Sequence, residues 1–216
     1  MSSGAKRARR QFQQRVVDFA RQNSWFGRPF HALTWQRSRK VASFFEEFLP
    51  SSGRLLDIGA GTGHVAALLQ RPGRSVVACD ILNLLMLPLP YVLCDGNQLP
   101  FRDASFDAAL LVTVLHHVPK PEHARFFAEA ARVLKPGSKL ILMEDTFHGA
   151  FEARLTKFFD SVMNGEFAGH PHANRTLADW IALMTQAGLR VDSARERVAW
   201  YGTFRIRHGV AVGVRV

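Results

Sequence analysis

Residues 54–65 read Arg54-Leu55-Leu56-Asp57-Ile58-Gly59-Ala60-Gly61-Thr62-Gly63-His64-Val65, an apolar run that ends in three glycines at alternate positions. The leucines and the isoleucine suit a parallel strand that is buried on both faces. The glycines let the backbone adopt positive φ and pass close to a ligand. A helix is predicted to begin near His64 and to end before Pro72-Gly73. A strand, a glycine turn and a helix N-terminus together form the nucleotide-type site of doubly wound sheets, where unpaired N–H groups point at the ligand.

The spacing of the glycines narrows the kind of nucleotide. Dinucleotide-binding Rossmann domains use G-x-G-x-x-G, whereas this chain has G-x-G-x-G preceded by the acid Asp57. In this it resembles the first motif of class I S-adenosylmethionine-dependent methyltransferases. The resemblance implies that S-adenosylmethionine is the cofactor and that it contacts Asp57, Gly59, Ala60, Gly61, Thr62 and Gly63. A turn in another α/β protein would explain a single glycine loop, so the assignment depends on further matches.

A second predicted strand, Ser75–Asp80, ends in an acid 17 positions after Gly63. In dinucleotide and methyltransferase sites an acid at this place accepts hydrogen bonds from the ribose hydroxyls, so we assign Asp80 and the adjacent Ile81 to the cofactor site. Standing alone, Asp80 would be interpreted as a loop carboxylate or an N-cap. Residues 81–90 contain two prolines and leave little room for a crossover helix. We expect a short or irregular, leucine-rich wall beside the adenosine.

The third predicted strand, Tyr91–Cys94, leads into Asp95-Gly96-Asn97-Gln98-Leu99-Pro100-Phe101. This segment resembles the D-x-x-x-L-P-F segment of the same family. By that resemblance Asp95 would accept a hydrogen bond from the adenine amine, with the backbone of Gly96 and Asn97 beside the ring. An ordinary turn would explain Asp-Gly equally well, but not Leu-Pro-Phe at this offset.

The fourth predicted strand resembles the family's small-molecule branch at both ends. It begins in Asp103-Ala104-Ser105-Phe106-Asp107 and leaves through Thr113-Val114-Leu115-His116-His117. Because open α/β sheets bind ligands at the carboxyl ends of their strands, Thr113 and Val114 are predicted to contact the cofactor. His116 and His117 are the candidate catalytic residues: one is expected to pack and the other to face the methyl acceptor as a base. A purely structural role is the alternative for each.

The rest of the chain completes the sheet. The segment Arg132-Val133-Leu134-Lys135-Pro136-Gly137 resembles the family's R-V-L-K-P-G-G, and its Pro-Gly is predicted to end a helix before a strand Lys139–Asp145. Then we expect, in order, a helix Phe151–Met163, a helix Leu177–Met184 capped by Thr176, and strands Arg190–Trp200 and His208–Val216. The predicted fold is α/β: a Rossmann-like, doubly wound seven-stranded sheet, mostly parallel with an antiparallel last strand, plus N-terminal helices.

The charge of the chain is concentrated near its start. Residues 1–40 hold ten Lys or Arg and one acid, a net +9, whereas the other 176 residues hold 18 and 17, a net +1. We divide the chain into a basic arm with capping helices, residues 1–49, and a methyltransferase domain, residues 50–216. Amphipathic helices are predicted over Gln11–Gln22 and Thr34–Leu49. Either these helices cap the cleft behind a solvated tail, or residues 6–21 dock on an anionic membrane.

Composition excludes several classes of protein. The longest apolar run, Ile81–Leu93, is interrupted and too short to span a bilayer, and the basic N-terminus lacks the apolar core of a secretory signal. Cys79 and Cys94 fall in predicted adjacent strands and are interpreted as free thiols of a reducing compartment. We therefore expect a cytoplasmic protein. His170 and His172 have no third ligand patterned with them, so a lid turn is favoured over a metal site.

The absence of several known motifs excludes some classes of methyl acceptor. Nucleobase amine methyltransferases carry N/D-P-P-Y/F after the fourth strand, where this chain has Thr113-Val114-Leu115-His116. The chain also lacks the nucleophilic cysteine in a pocket loop that cytosine C5 enzymes need and the paired glutamates that protein-arginine enzymes place after that strand. Only the basic arm therefore supports a nucleic-acid acceptor. We expect a small-molecule or lipid-like acceptor, and the alternative is a non-catalytic S-adenosylmethionine-binding module. Candidate pocket residues are His116, His117, Glu144, Asp145, His148, His170 and His172.

Overall fold

The computed structural model describes residues 14–146, 154, 173–201 and 204–216. The helices are α1 over residues 14–22, α2 (Ser24–Phe45), α3 (His64–Leu69), α4 (His123–Val133) and α5 (Leu177–Gln186), with 3₁₀ turns at Leu115–His117 and Lys120–Glu122. The strands are β1 (Gly53–Ile58), β2 (Arg74–Asp80), β3 (Tyr91–Leu93), β4 (Phe106–Val112), β5 (Leu134–Asp145), β6 (Leu189–Tyr201) and β7 (Phe204–Arg215). The predicted helix Phe151–Met163 and the candidates His148, His170 and His172 lie outside the described residues.

The strands form one seven-stranded sheet in the order β3-β2-β1-β4-β5-β7-β6. Pairing is parallel from β3 to β5, and β7 runs antiparallel to both β5 and β6. This confirms the predicted fold class. The strand order reverses between β1 and β4, so the carboxyl ends of these strands flank the crevice where such sheets bind their ligands.

Each face of the sheet is covered by an apolar layer. On one face, Phe127 of α4 and Trp180 of α5 pack over inward-facing residues of β1, β4 and β5. On the other face, Val41 and Phe45 of α2 and Leu69 of α3 pack over the alternate residues of the same strands. Burial on both faces explains why the central strands are almost wholly apolar.

The segment between β2 and β3 contains no helix, as predicted from its prolines. It folds back onto the glycine turn, where the Met86 N–H donates to the Thr62 carbonyl oxygen at 3.1 Å. A Cβ on Gly63 would lie 2.5 Å from the Leu85 side chain. The expected leucine-rich wall therefore stands directly against the turn.

Two predicted boundaries were wrong. Helix α4 ends at Val133, and β5 already begins at Leu134, so Pro136-Gly137 lies within the strand rather than at a helix end. Proline disfavours helical φ/ψ at the residue before it, which explains why the helix stops short of Lys135. Helix α2 begins at Ser24 rather than Thr34 and continues through Pro29. Gly27 lies there because a Cβ would be only 2.1 Å from the Ala20 carbonyl oxygen of α1.

The predicted cap of α5 and the predicted free cysteines agree with the structure. Thr176 caps α5 through a reciprocal capping box with Asp179. Cys79 and Cys94 are free thiols, the first buried and the second half-buried. Within the described ranges, no helix has the length and apolar character needed to cross a bilayer.

Candidate active site

The glycine turn lies at the carboxyl end of β1, and each of its glycines has positive φ: +77° at Gly59, +51° at Gly61 and +79° at Gly63. A Cβ on Gly59 would lie 2.4 Å from the Val114 side chain, so this glycine is required by packing as well as by conformation. A Cβ on Gly61 would meet no atom within 4 Å. The turn thus has tight packing on both sides and open space at its centre, where a ligand can approach the backbone.

Asp80 ends β2 beside this turn, and its carboxylate is held by backbone donors. The Gly61 N–H donates to Oδ2 at 2.9 Å, and the Leu82 N–H donates to Oδ1 at 3.1 Å. The structure therefore brings Asp80 into direct contact with the glycine turn. Ile81 follows it and is 42% exposed. A preoriented carboxylate at this strand end can accept hydrogen bonds from ribose hydroxyls.

Asp57 is buried below the turn, with 1% of its surface exposed. Its Oδ2 has no hydrogen-bond partner among the described residues. Burial, and then the nearby Asp80 carboxylate, raise the pKa of Asp57 to about 7. A buried carboxyl oxygen without a partner is costly, so a ligand that brings a cation or a donor here would be stabilised.

Asp95, Gly96 and Asn97 form a turn at the carboxyl end of β3. The Asn97 N–H donates to Asp95 Oδ1 at 2.9 Å, and the Asn97 side-chain amide donates to Glu122 at 2.9 Å. A Cβ on Gly96 would lie 2.0 Å from the Phe126 ring, so only glycine allows the turn to lie against α4. Asp95 itself is exposed at the strand end.

The loop after β4 is held by one buried carboxylate, Glu144 at the end of β5. The backbone N–H groups of Val114 and Leu115 donate to Glu144 Oε1 at 2.6 Å each, and His116 Nδ1 lies 2.8 Å from Oε2. Thr113 has an unusual φ of +53°, and its N–H donates to the Met143 carbonyl oxygen at 2.7 Å. Glu144 thereby fixes the backbone of a predicted cofactor-binding segment.

The two candidate catalytic histidines lie side by side in that loop. Their ring centroids are 3.9 Å apart. His116 is buried and bonded to Glu144, whereas His117 is half-buried.

Helix α2 contacts the same site through His31 and Arg37, neither of which was predicted as a site residue. His64 Nε2 lies 2.9 Å from His31 Nδ1, and His64 Nδ1 lies 2.9 Å from Thr62 Oγ1 in the glycine turn. Burial, and then the His31 ring, lower the pKa of His64 to about 4, so the ring is neutral at physiological pH. Arg37 of α2 donates to Thr113 Oγ1 at 3.3 Å. No local sequence pattern links His31 to His64 or Arg37 to Thr113.

The described residues contain no cluster of side chains suited to a metal ion. The open glycine turn, the preoriented Asp80 and the unpaired Asp57 oxygen instead fit a nucleoside that carries a positively charged, hydrogen-bonding tail. This fold and this site define a class I S-adenosylmethionine-dependent methyltransferase.

Comparison with known proteins agrees with that class. The family model described as a methyltransferase domain matches residues 56–142. These similarities identify the chain as an S-adenosylmethionine-dependent methyltransferase with the class I fold. It is similar to a solved S-adenosylmethionine-dependent methyltransferase of Methanosarcina mazei, with 25% identity, a TM-score of 0.62, and 80% of this chain and 97% of that one covered.

Two curated relatives have named activities. The chain is 28% identical over 198 residues to the demethylmenaquinone methyltransferase of Tropheryma whipplei, covering 78% of this chain and 82% of the relative. It is 32% identical over 108 residues to the ubiquinone/menaquinone biosynthesis C-methyltransferase UbiE of Desulfotalea psychrophila, covering 45% and 43%.

Proposed function

We propose that this methyltransferase methylates a ring carbon of an apolar hydroxyaryl acceptor, of the class formed by reduced demethylmenaquinone. The observation that carries the proposal is the similarity to the Tropheryma whipplei enzyme, which extends over 82% of that protein and therefore beyond the common cofactor-binding domain. The shorter match to a C-methyltransferase of quinone biosynthesis supports the same acceptor class.

In this proposal the cofactor lies across the carboxyl ends of β1, β2, β3 and β4. The backbone of the glycine turn, residues 59–63, lies against the cofactor. Asp57 pairs with the ammonium group of the cofactor. Asp80 accepts hydrogen bonds from its ribose hydroxyls, and Ile81 lies beside them. Asp95, Gly96 and Asn97 hold the adenine. Thr113 and Val114, fixed by Glu144, lie beside the reacting end.

The cofactor supplies an electrophilic methyl group on sulfur, so the protein chiefly has to align the acceptor and exclude water. His116 and His117 are proposed to stand on the acceptor side. Because His116 is buried against Glu144, its expected role is to position the loop, whereas the half-buried His117 is the better placed of the two to contact an acceptor.

Incubation with methyl-labelled S-adenosylmethionine and chemically reduced demethylmenaquinone, dispersed in detergent, tests the acceptor class. Product mass should rise by one methyl group in place of a hydrogen, and with a carbon-13 methyl label the NMR spectrum should show a methyl group bonded to a ring carbon. A methoxy signal in its place would refute ring-carbon transfer. Turnover of hydrophilic phenols with none of the quinol would refute the apolar acceptor.

We also propose that the N-terminal segment contacts an anionic membrane, where such an acceptor partitions. Residues 6–21 carry six Lys or Arg and one acid. Next to them, α1 and α2 present large apolar side chains to the surface: Phe19 is 43% exposed, Leu33 61% and Trp25 72%. Exposed aromatic side chains together with basic residues suit the interface of an anionic bilayer.

Vesicle sedimentation tests this contact. Binding should require anionic lipid, because each basic residue near an anionic surface contributes about 1 kcal/mol of electrostatic attraction. Binding should fall steeply with salt, because added salt shortens the range of this attraction. Trp25→Ser should weaken binding to vesicles while leaving S-adenosylhomocysteine affinity unchanged. Nucleic acid is not an expected partner, so duplex RNA and DNA serve as competitors. Equal retention on neutral vesicles, or retention only on nucleic acid, would contradict the proposal. The cytoplasmic location stays a prediction.

A further inference from the structure

The 3₁₀ turn Leu115–His117, which carries both candidate catalytic histidines, is held at each end by a buried side chain. Where the turn begins, Glu144 accepts from two backbone N–H groups at 2.6 Å each. Where it ends, His123 Nε2 lies 2.9 Å from the carbonyl oxygens of both Leu115 and Val118. Glu144 and His123 are each 0% exposed. A carboxylate therefore holds the donors of the turn, and an imidazole holds its acceptors.

Hydrogen-bond partners on both sides fix the protonation state of His123. Carbonyl oxygens only accept, so the Nε2 that faces two of them carries a hydrogen. The guanidinium of Arg175 only donates, so the His123 Nδ1 that lies 2.9 Å from Arg175 Nε carries none. Burial and the charge of Arg175 lower the pKa of His123, although the carbonyl contacts and Glu144 oppose them. The ring is therefore the neutral tautomer with its hydrogen on Nε2.

The chain that enters α5 is joined to the same turn at two points. The Ala173 N–H donates to the His116 carbonyl oxygen at 3.0 Å. Two positions later, Arg175 donates to His123. The His123 ring also packs against Trp180 of α5, with ring centroids 4.9 Å apart. His123 thus connects the turn with α4, to which it belongs, and with the segment that precedes α5.

We propose that His123 is a positioning residue for methyl transfer: Arg175 orients its ring, and its Nε2–H group holds the His116–His117 turn beside the acceptor. The inference rests on the proposed function, which puts this turn on the acceptor side. His123 itself does not contact the acceptor, since its ring is buried and both ring nitrogens have protein partners. Misplacement of an aligning group by about 1 Å can lower the rate about 10²-fold. Cofactor binding should depend less on His123, because Glu144 holds Val114.

Two substitutions close to histidine in size separate the hydrogen bonds of His123 from its packing. His123→Gln keeps an N–H donor near the place of Nε2, whereas His123→Leu fills the space without a polar group. In His123→Leu the carbonyl oxygens of Leu115 and Val118 lose this donor. Arg175→Leu, which removes the donor to Nδ1, takes the place of His123→Leu if that variant does not fold. Thr176→Ala is the matched control for stability, because it removes the N-cap of α5 beside Arg175 and leaves the turn contacts intact.

Two measurements on the full chain with S-adenosylhomocysteine require no turnover. Nitrogen-15 NMR of the imidazoles should show His123 with its hydrogen on Nε2. Hydrogen exchange of the Val118 amide, which donates to the Leu115 carbonyl oxygen at 2.9 Å, reports opening of the turn. Relative to the Leu140 amide in β5, this exchange should accelerate about tenfold or more in His123→Leu, the factor expected for loss of a buried hydrogen bond. It should change by less than about threefold in His123→Gln and Thr176→Ala.

Turnover measures the consequence for catalysis. With reduced demethylmenaquinone, His123→Leu should lower kcat about 10–10²-fold, while KM for S-adenosylmethionine stays within about threefold of its value in the unsubstituted chain. His123→Gln should recover kcat to within about threefold. Thr176→Ala should lower the melting temperature but not kcat. A purely structural role of His123 would instead lower kcat only through loss of folded protein, in the order of the melting temperatures.

The outcomes distinguish the inference from the proposed function. If the unsubstituted chain does not methylate this acceptor, the proposed function fails, and the NMR and exchange measurements still decide the inference. If His123→Leu turns over as fast as the unsubstituted chain, the inference fails and the proposed function stands. A hydrogen on Nδ1 of His123, unchanged exchange of the Val118 amide in His123→Leu, or equal losses of kcat in His123→Leu and His123→Gln would also overturn the inference.

Discussion

Asp57→Asn should stabilise the cofactor-free protein at neutral and alkaline pH. The pKa of Asp57 is raised from 3.8 to about 7 by burial and by Asp80. Between these two values the folded chain holds a proton that the unfolded chain has released, so the free energy of unfolding falls as pH rises. The window spans about 3 pH units, and at 1.36 kcal/mol per unit the ionised carboxyl costs up to about 4 kcal/mol above pH 7. Asparagine has the same shape and no charge to desolvate.

The assay is thermal unfolding of both proteins at several values between pH 5 and pH 8. The melting temperature of Asp57→Asn should exceed that of the unsubstituted chain at pH 8, by roughly 2–4 °C for each kcal/mol. The difference should shrink toward pH 5, where Asp57 is protonated in the folded state. Asp192→Asn is the matched control, because Asp192 lies on the surface of β6 in an exposed pair with Arg190.

The same substitution should weaken cofactor binding. In the unsubstituted chain the affinity for S-adenosylhomocysteine should rise about tenfold per pH unit up to about pH 7, since binding of an ammonium group requires the ionised carboxylate. Asp57→Asn should show weaker binding with no such slope. Equal pH slopes in the two proteins, for unfolding or for binding, would refute the reasoning that the pKa of Asp57 is raised by burial below the glycine turn.

Four further substitutions test neighbouring parts of the site. The unsubstituted chain should lose stability as pH falls from about 6.5 toward 4, because His64 takes up a proton in the unfolded chain but stays neutral in the folded chain, where its pKa is about 4. His64→Gln should remove this loss. Denaturant unfolding at pH 5 and pH 7.5 measures the difference. Gly59→Ala should destabilise the fold by about 2–4 kcal/mol, because it places a side chain at positive φ and against Val114. Gly61→Ala should destabilise the fold by about 1 kcal/mol and should mainly weaken S-adenosylhomocysteine binding. A larger loss of stability in Gly61→Ala than in Gly59→Ala would contradict the geometry. Asp80→Ala should weaken binding of S-adenosylhomocysteine by about 1.5–3 kcal/mol in calorimetry, and unchanged affinity would mean that another group holds the ribose.

The sequence predicted where the candidate site residues lie in the fold when they belong to a single connection. The glycine turn, Asp80 and the Asp95–Asn97 turn each follow a strand directly, so strand ends and turn residues identify them without knowledge of the packing. The antiparallel pairing of β6 and β7, which the family resemblance predicted, is confirmed by the structure.

Contacts between residues that are far apart in the sequence could not be predicted from strand ends and turn residues. Arg37 reaches Thr113 across 76 positions, and His31 reaches His64 across 33. His208 meets Asp145 only because β7 inserts between β5 and β6, a register that no local pattern fixes. The early start of α2 was missed for a related reason: Gly27 and Pro29 suggest a break, but Gly27 is where α1 and α2 touch. Tertiary packing overrides local propensity at such points.

Charge sets residues 1–40 apart from the rest of the sequence, but packing does not. Val41 and Phe45 of α2 are buried in the layer under β1, β2 and α3, and each such side chain contributes about 1.5–3 kcal/mol when buried. The same helix presents His31 to the glycine turn and Arg37 to the end of β4. Because the buried side chains and the site contacts belong to one rigid helix, α2 cannot be displaced without loss of both. The basic arm is therefore joined to a helix that is part of the core, so an arm held at a membrane would hold the cofactor cleft there as well.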